Sequence, residues 1–454
     1  MNKSPLALAV FAGTLASALS GAAQAAFLED SKANLTLRNF YFNNDNRESQ
    51  TQVSAKKDAY SGQAEEWGQG FIFNYQSGFT EGTVGFGLDA VGLLGVRLDG
   101  GGNGNTDDRV PGQLFPTESN GDPVHDYSKA GLTAKVKLSK TEARLGTLQP
   151  KLPVVTFNDG RLLPQLFEGG QITSNEIDGL TLTAGQLEHT KTRSSTDDIG
   201  LRIAGAQKVN GIQADTNKFY YAGGDYKLTK DLTAQYYYGN LEDFYDQHFL
   251  GLLHNWALPV GALKTDLRYF DSNSDGKNAS AAGRAEGYAS NGYWNGGAAN
   301  PDNGEVDNRT WSALFTYTLA GHSLSAGYQQ VSGDSAFPFL SQGDGSTAYL
   351  ITDVQINKFL SAGERTWLTG YAYDFAQIGV PGLKASALYL SGDNIDAAGT
   401  EKKEWERNLR LDYVLQEGTF KGLGFTWRNA ALRGNKTSDQ DENRLIVSYT
   451  LPLL

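Results

Sequence analysis

The chain has 454 residues, with 54 Gly, 22 Tyr, 22 Phe, a single Met and no Cys. The absence of Cys excludes disulfides, thiolate metal sites and cysteine nucleophiles together, and a formal net charge of −12 argues against a nucleic-acid partner. Mean hydropathy is −0.42 and no interior apolar run approaches the roughly 20 residues of a membrane helix, which excludes a bundle of such helices.

The first element is a targeting segment. Met1-Asn2-Lys3 is a short positive start, Leu6 to Leu19 an apolar stretch, and Ala23-Gln24-Ala25 a small-x-small cleavage pattern. Residues 1–25 are therefore expected to be a secretory signal peptide, and residues 26–454 one domain.

Beyond it the chain alternates with period two. Phe71, Phe73 and Tyr75 oppose Ile72, Asn74 and Gln76; Val84, Phe86 and Leu88 oppose Gly85, Gly87 and Asp89. Trp311, Ala313, Phe315, Tyr317 and Leu319 form a similar row, and so do Leu445, Val447, Tyr449, Leu451 and Leu453. Strands of about ten residues with one apolar face are what a membrane-spanning barrel requires, because lipid leaves no backbone group unpaired. Strands are predicted to begin near 34, 67, 84, 131, 143, 180, 198, 218, 232, 249, 263, 309, 323, 365, 383, 403, 422 and 443, which makes eighteen. Short turns near 77–83, 139–142, 190–197, 227–231, 259–262, 320–322, 379–382 and 416–421 alternate with longer polar connections, as periplasmic turns alternate with external loops. The competing all-β architecture, a soluble sandwich or propeller, has no use for Trp67, Trp311, Trp367, Tyr413 and Trp427 near the ends of apolar rows, where interfacial girdles belong.

Enzymatic readings find little support. The five His are scattered, with no HExxH and no nucleophile constellation, so neither catalysis, a metal nor a cofactor is expected. Asp271 to Gly276 imitates half a calcium loop, but Ala282 occupies the twelfth position and a turn is the better assignment.

One connection differs from the rest. Residues 149–179 contain Pro150, Pro153 and Pro164 among Leu152, Val154, Val155, Leu162, Leu163 and Phe167. An apolar loop is expected to fold into the lumen and narrow it, the alternative being an external loop packed on its neighbour. Parity places Arg38, Lys135, Lys137, Arg144, Arg202, Lys264, Arg268, Lys384, Arg410 and Arg428 inward, against the acids Asp89, Asp266, Asp374 and Asp412. A basic stripe in a narrow aqueous path concentrates anions, and Arg forks match carboxylates. For any one of these residues a salt bridge across the lumen competes with contact to a solute, Arg410 beside Asp412 being the obvious case.

Specific strings carry the reading further. Ala26-Phe27-Leu28-Glu29-Asp30-Ser31, Leu37-Arg38-Asn39-Phe40-Tyr41-Phe42, Gly68-Gln69-Gly70-Phe71, Ser77 to Gly87, Arg161-Leu162-Leu163-Pro164-Gln165, Gly223-Gly224-Asp225-Tyr226, Val380-Pro381-Gly382-Leu383 and Arg444-Leu445-Ile446-Val447 resemble the OprD family of outer-membrane porins over essentially the whole chain. The resemblance implies an eighteen-stranded pore in the outer membrane of a Gram-negative bacterium, monomeric or weakly trimeric, that passes small carboxylate-bearing nutrients by facilitated diffusion. It also implies an inward constriction loop and a ladder of basic residues, here Arg38, Arg144, Arg161, Lys384, Arg410 and Arg428. Gly370 and Thr426 stand where some members carry a further inward Arg, so the ladder is expected to be sparser. Asn158 to Pro164 resembles the OccK branch, associated with benzoate- and vanillate-like monocarboxylates. A general pore, or one selective for amino acids or peptides, is the alternative.

Overall fold

The computed structural model describes residues 27–47, 63–100, 112–205, 214–340 and 347–454. The signal peptide expected at 1–25 lies outside the described residues.

Eighteen antiparallel strands form one closed wall. In chain order they are β1 Lys32–Asn46, β2 Gln63–Gln76, β3 Val84–Asp99, β4 Asp126–Leu138, β5 Thr141–Leu148, β6 Leu166–Ser174, β7 Leu180–Lys191, β8 Phe219–Lys227, β9 Leu232–Leu241, β10 Tyr245–Ala257, β11 Ala262–Ser274, β12 Asp307–Leu319, β13 His322–Ser332, β14 Arg365–Asp374, β15 Leu383–Ile395, β16 Lys402–Val414, β17 Gly424–Gly434 and β18 Gln440–Pro452. Each pairs with the next, and β1 pairs with β18 from Asn34↔Pro452 to Asn46↔Gln440, which removes every sheet edge.

The count matches expectation through two compensating errors. The strand predicted near 198 is only the two-residue piece Asp198–Ile199 beside β7, and Leu201 and Ile203 just beyond it are buried, bridged to Thr216 and Leu340. The strand overlooked is β6, paired fully with β5 and β7. Gly169-Gly170 and the preceding apolar run hide its period, but Ile172 does face outward. The inward segment consequently ends at 165 instead of 179, and the short turn is 175–179 instead of 190–197.

Short connections, the start of β1 and the end of β18 lie at one end, the periplasmic end of such barrels; long connections gather at the other, external end. The outward parity is apolar, with Leu145, Leu250, Leu324 and Trp367 all more than half exposed to the surroundings of the barrel. Aromatic rings band it: Trp311, Tyr328 and Trp367 sit 5.3 and 4.6 Å apart near the external end, and His322, Tyr373 and Phe375 sit 4.6 and 4.9 Å apart near the other.

The inward parity is not uniformly polar. On β8 to β11 it carries Phe219, Tyr221, Tyr237, Phe249 and Phe270, all buried. These rings form a core inside the barrel with Val154, Val155, Phe337, Leu340 and Leu350 from two connections that fold into the lumen. Burial of apolar area, at about 25 cal/mol per Å², holds those connections against the wall.

Candidate functional site

The first inward connection begins where β5 stops. Only Thr133–Leu138 of β4 find partners on β5, so the chain leaves the wall half-way along it at Leu148. Val154 and Val155 then pack into the aromatic core, while Leu162 and Leu163 pack among Phe40, Phe42, Ile72, Leu93 and Phe115. Gly68 and Gly70 of β2 are small for this reason, since a Cβ at either would stand 2.7 or 3.2 Å from the Leu162 side chain. Between the two apolar anchors lies a polar tip, Asn158 to Arg161. Asn158 turns it by accepting the Gly160 N–H at 2.8 Å while its own N–H donates to Gln165 at 3.1 Å.

The second inward connection, described over 333–340 and 347–364, went unnoticed as a lumen element in the sequence. Its signal is the same one that marked the first: Ala336-Phe337-Pro338-Phe339-Leu340 is an apolar, Pro-bearing run within a long polar connection. A bridge between Thr156 and Thr347 joins the two segments. The buried Glu406 carboxylate on β16 fixes the second to the wall by accepting the Ile356 and Asn357 N–H groups at 3.1 and 2.7 Å.

Together the segments leave a cavity of about 760 Å³ on the external side of the tip. Its charged lining is Arg161, Arg193, Arg268, Lys358, Arg428 and Arg444 against Asp159, Asp353 and Glu442. Burial pushes the Asp353 carboxyl above its ordinary range, and Lys358 at 3.4 Å opposes the shift.

The expected ladder residues occupy different stations. Arg410, Arg428 and Arg444 stand directly opposite one another on β16, β17 and β18, a basic row across three strands. Arg444, absent from the expected ladder, shares the inward parity of Ile446 and Ser448. Arg410 forks onto Asp412 at 2.6 and 2.8 Å, and Thr426 donates to the same carboxylate at 2.7 Å. Arg444 is buried against Glu442 at 2.6 Å and donates to the Gly160 and Gln355 carbonyls. Arg161 is also buried, its guanidinium 4.4 Å from the Phe42 ring centre and 3.9 Å from Glu442. Arg38 grips the tip itself, donating to Asp159 at 2.7 and 3.1 Å and to the Arg161 carbonyl at 2.9 Å. Arg428 differs from all of these: among the described residues it has no hydrogen bond or ion pair, and it lines the cavity.

Two expected members lie elsewhere. Lys384 pairs with Asp374 at 3.1 Å near the short-turn end. Arg144 contacts Glu142 at 2.5 Å and lines a separate cavity of about 350 Å³ on the periplasmic side of the inward segment, with Asp89, Lys151 and Gln171. Arg202 belongs to no wall strand and lies in the connection after β7. At Gly370 a Cβ would meet Leu388 at 2.9 Å, so no further inward arginine stands there. The calcium-like stretch is the end of β11 followed by a turn in which Asp275 accepts the Asp243 N–H at 3.1 Å.

A wall closed by β1 and β18, a lumen narrowed by two inward segments and a basic row facing the remaining space describe a channel. The sequence matches the profile of the outer membrane porins of the OprD family over residues 25–453. The chain belongs to the OprD family. Members of that family are passive channels and not enzymes, and the chain is a substrate-specific porin of the Gram-negative outer membrane. It is 37% identical to the porin-like protein GalP of Pseudomonas putida, over 94% of this chain and 93% of that protein. The crystal structure of Pseudomonas aeruginosa OccK8 (OprE) is 63% identical, covers 94% of this chain and 100% of its own, and superimposes with a TM-score of 0.85. Pseudomonas aeruginosa OpdK, solved with vanillate, is 34% identical over 94% of this chain and 100% of its own, with a TM-score of 0.79.

Proposed function

We propose that this OprD-family porin passes small monocarboxylates, including aromatic ones of the benzoate and vanillate kind, with Arg428 as the cation that receives the carboxylate. The observation that carries the proposal is the contrast along the basic row. Arg38, Arg410 and Arg444 spend their guanidinium groups on Asp159, Asp412 and Glu442, whereas Arg428 faces the cavity unpartnered among the described residues. An unmatched guanidinium in a narrow aqueous space attracts and orients a carboxylate through two parallel hydrogen bonds. Arg38, Arg144, Arg161, Lys384 and Arg410 then act by shaping the field and holding the inward segment. The vanillate bound to OpdK supports an aromatic monocarboxylate as solute. Passage is driven by the solute's own gradient, and the oligomer is a monomer or a weak trimer.

Uptake into reconstituted vesicles tests this. Radiolabelled benzoate is expected to enter saturably and much faster than a neutral sugar of similar size, and Arg428→Gln to raise the half-saturating concentration about ten-fold, the worth of a charge-assisted hydrogen bond. Equal entry of sugar and benzoate, unchanged by the substitution, would instead establish a general diffusion pore.

A further inference from the structure

The outer surface of the wall carries a cation where lipid should be. Arg407 on β16 shares the outward parity of Leu409 and Leu411 and stands directly opposite the exposed Tyr389 of β15. Its inward neighbours in the chain, Glu404 and Glu406, are buried. An arginine on the lipid face is unfavourable near the midplane and tolerated towards the interface, where its stem reaches along apolar surface and its head meets polar groups.

Arg407 lies in the half of β16 nearer the external end, on the external side of Leu409 and Leu411. It lies next to Trp405, which stacks on Tyr389 at 5.7 Å and 30°. Its guanidinium donates to Asn429 at 2.6 Å, and Asn429 donates in turn to Asn443 at 3.0 Å, so a polar row runs across β16, β17 and β18 on the outer surface. Lys403, four residues nearer the external end, is exposed on the same parity. Two other outward arginines near the external end have acidic partners: Arg433 has Asp439 and Asp441, and Arg309 has Asp271 and Asp307. Among the described residues neither Arg407 nor Lys403 has an ion pair.

We infer that Arg407, with Lys403 and Asn429, forms a site on the outside of the barrel for a phosphate of lipid A, the anionic glycolipid of the outer leaflet. A planar guanidinium with free N–H groups suits a phosphate bidentately. Lys403 adds a second positive charge towards the headgroup region, and Leu409 and Leu411, on the midplane side of Arg407 in β16, offer an apolar wall for the upper part of an acyl chain. Lys403 and Arg407 lie in the half of β16 nearer the long connections, which assigns the site to the outer leaflet and therefore gives the source of the phosphate.

Native mass spectrometry of the detergent-extracted protein tests the site, with bisphosphorylated lipid A and phosphatidylglycerol added separately at equal concentration. The unmodified protein is expected to retain one lipid A. Arg407→Gln combined with Lys403→Gln is expected to lower the bound fraction about ten-fold, with Arg407→Lys, which keeps the charge and loses the fork, falling between the unmodified protein and the double variant. Heat-modifiable migration on gels verifies that each variant is a folded barrel. Undiminished lipid A on the double variant overturns the site. Equal retention of phosphatidylglycerol, or of lipid A stripped of its phosphates, overturns its assignment to a lipid A phosphate.

Discussion

At the residue scale, position in the lumen matters less than what each charge already holds. Arg38 and Arg428 both face inward, yet Arg38 is committed to Asp159 and to two backbone carbonyls of the tip. It works as a clamp. Arg38→Gln and Asp159→Asn are each expected to loosen residues 158–162 by about 1 kcal/mol, a modest figure because Asp159 is 43% exposed. Single-channel recording should show more open-channel noise and a larger conductance for both variants, with little change in the benzoate concentration that half-blocks the current. Traces as quiet as those of the unmodified channel would remove Arg38 from this role. The sequence identified Arg38 correctly as inward but could not distinguish a clamp from a solute contact, because Asp159 lies 121 positions away. Arg444 was legible by parity and overlooked because an arginine next to three apolar residues reads as the edge of an apolar row.

At the scale of elements, the wall was far more legible than what fills it. Period-two alternation is a local property, so β1, β3, β12 and β18 follow from their own residues. The inward connections depend on partners distant in sequence, and the connection 333–364 was legible only through its apolar run. Its external end carries a titratable anchor. Glu364 is buried and accepts the Ser361 N–H at 3.0 Å, and it lies beside the buried Glu404, which pairs with Lys436 at 3.2 Å. Burial first, and the Glu404 carboxylate second, push the Glu364 carboxyl from its ordinary 4.5 up to about 8. A raised carboxyl favours the packed state fully below its ordinary value, and that contribution is lost as pH rises through about 8. Brief closures and openings from this segment should therefore be rarer at pH 5 than at pH 9 in single-channel records, and Glu364→Gln should flatten the dependence. More frequent fluctuations at pH 5 would reverse the sign and refute the anchor.

For the whole molecule, the opening features of the sequence acquire locations. A mean hydropathy of −0.42 suits a membrane protein whose apolar residues form a band outside while amides, charges and buried rings occupy the inside. A net charge of −12 says nothing about the permeating ion, because the field along the path is set by the few groups that line it. Around the cavity between the inward segments those groups lean basic, with Arg428 unmatched among the described residues. The fold was almost wholly readable from alternation and connection lengths, and the family from short strings. The site was readable only as a set of candidates, since partner choice among Asp159, Asp412 and Glu442 is decided in three dimensions. The most direct test of the channel's guiding principle is its reversal potential across a KCl gradient, compared with that of Arg428→Gln. Anion preference that weakens towards neutrality in the variant is the expected result; cation preference, or a reversal potential unmoved by the substitution, would contradict the account.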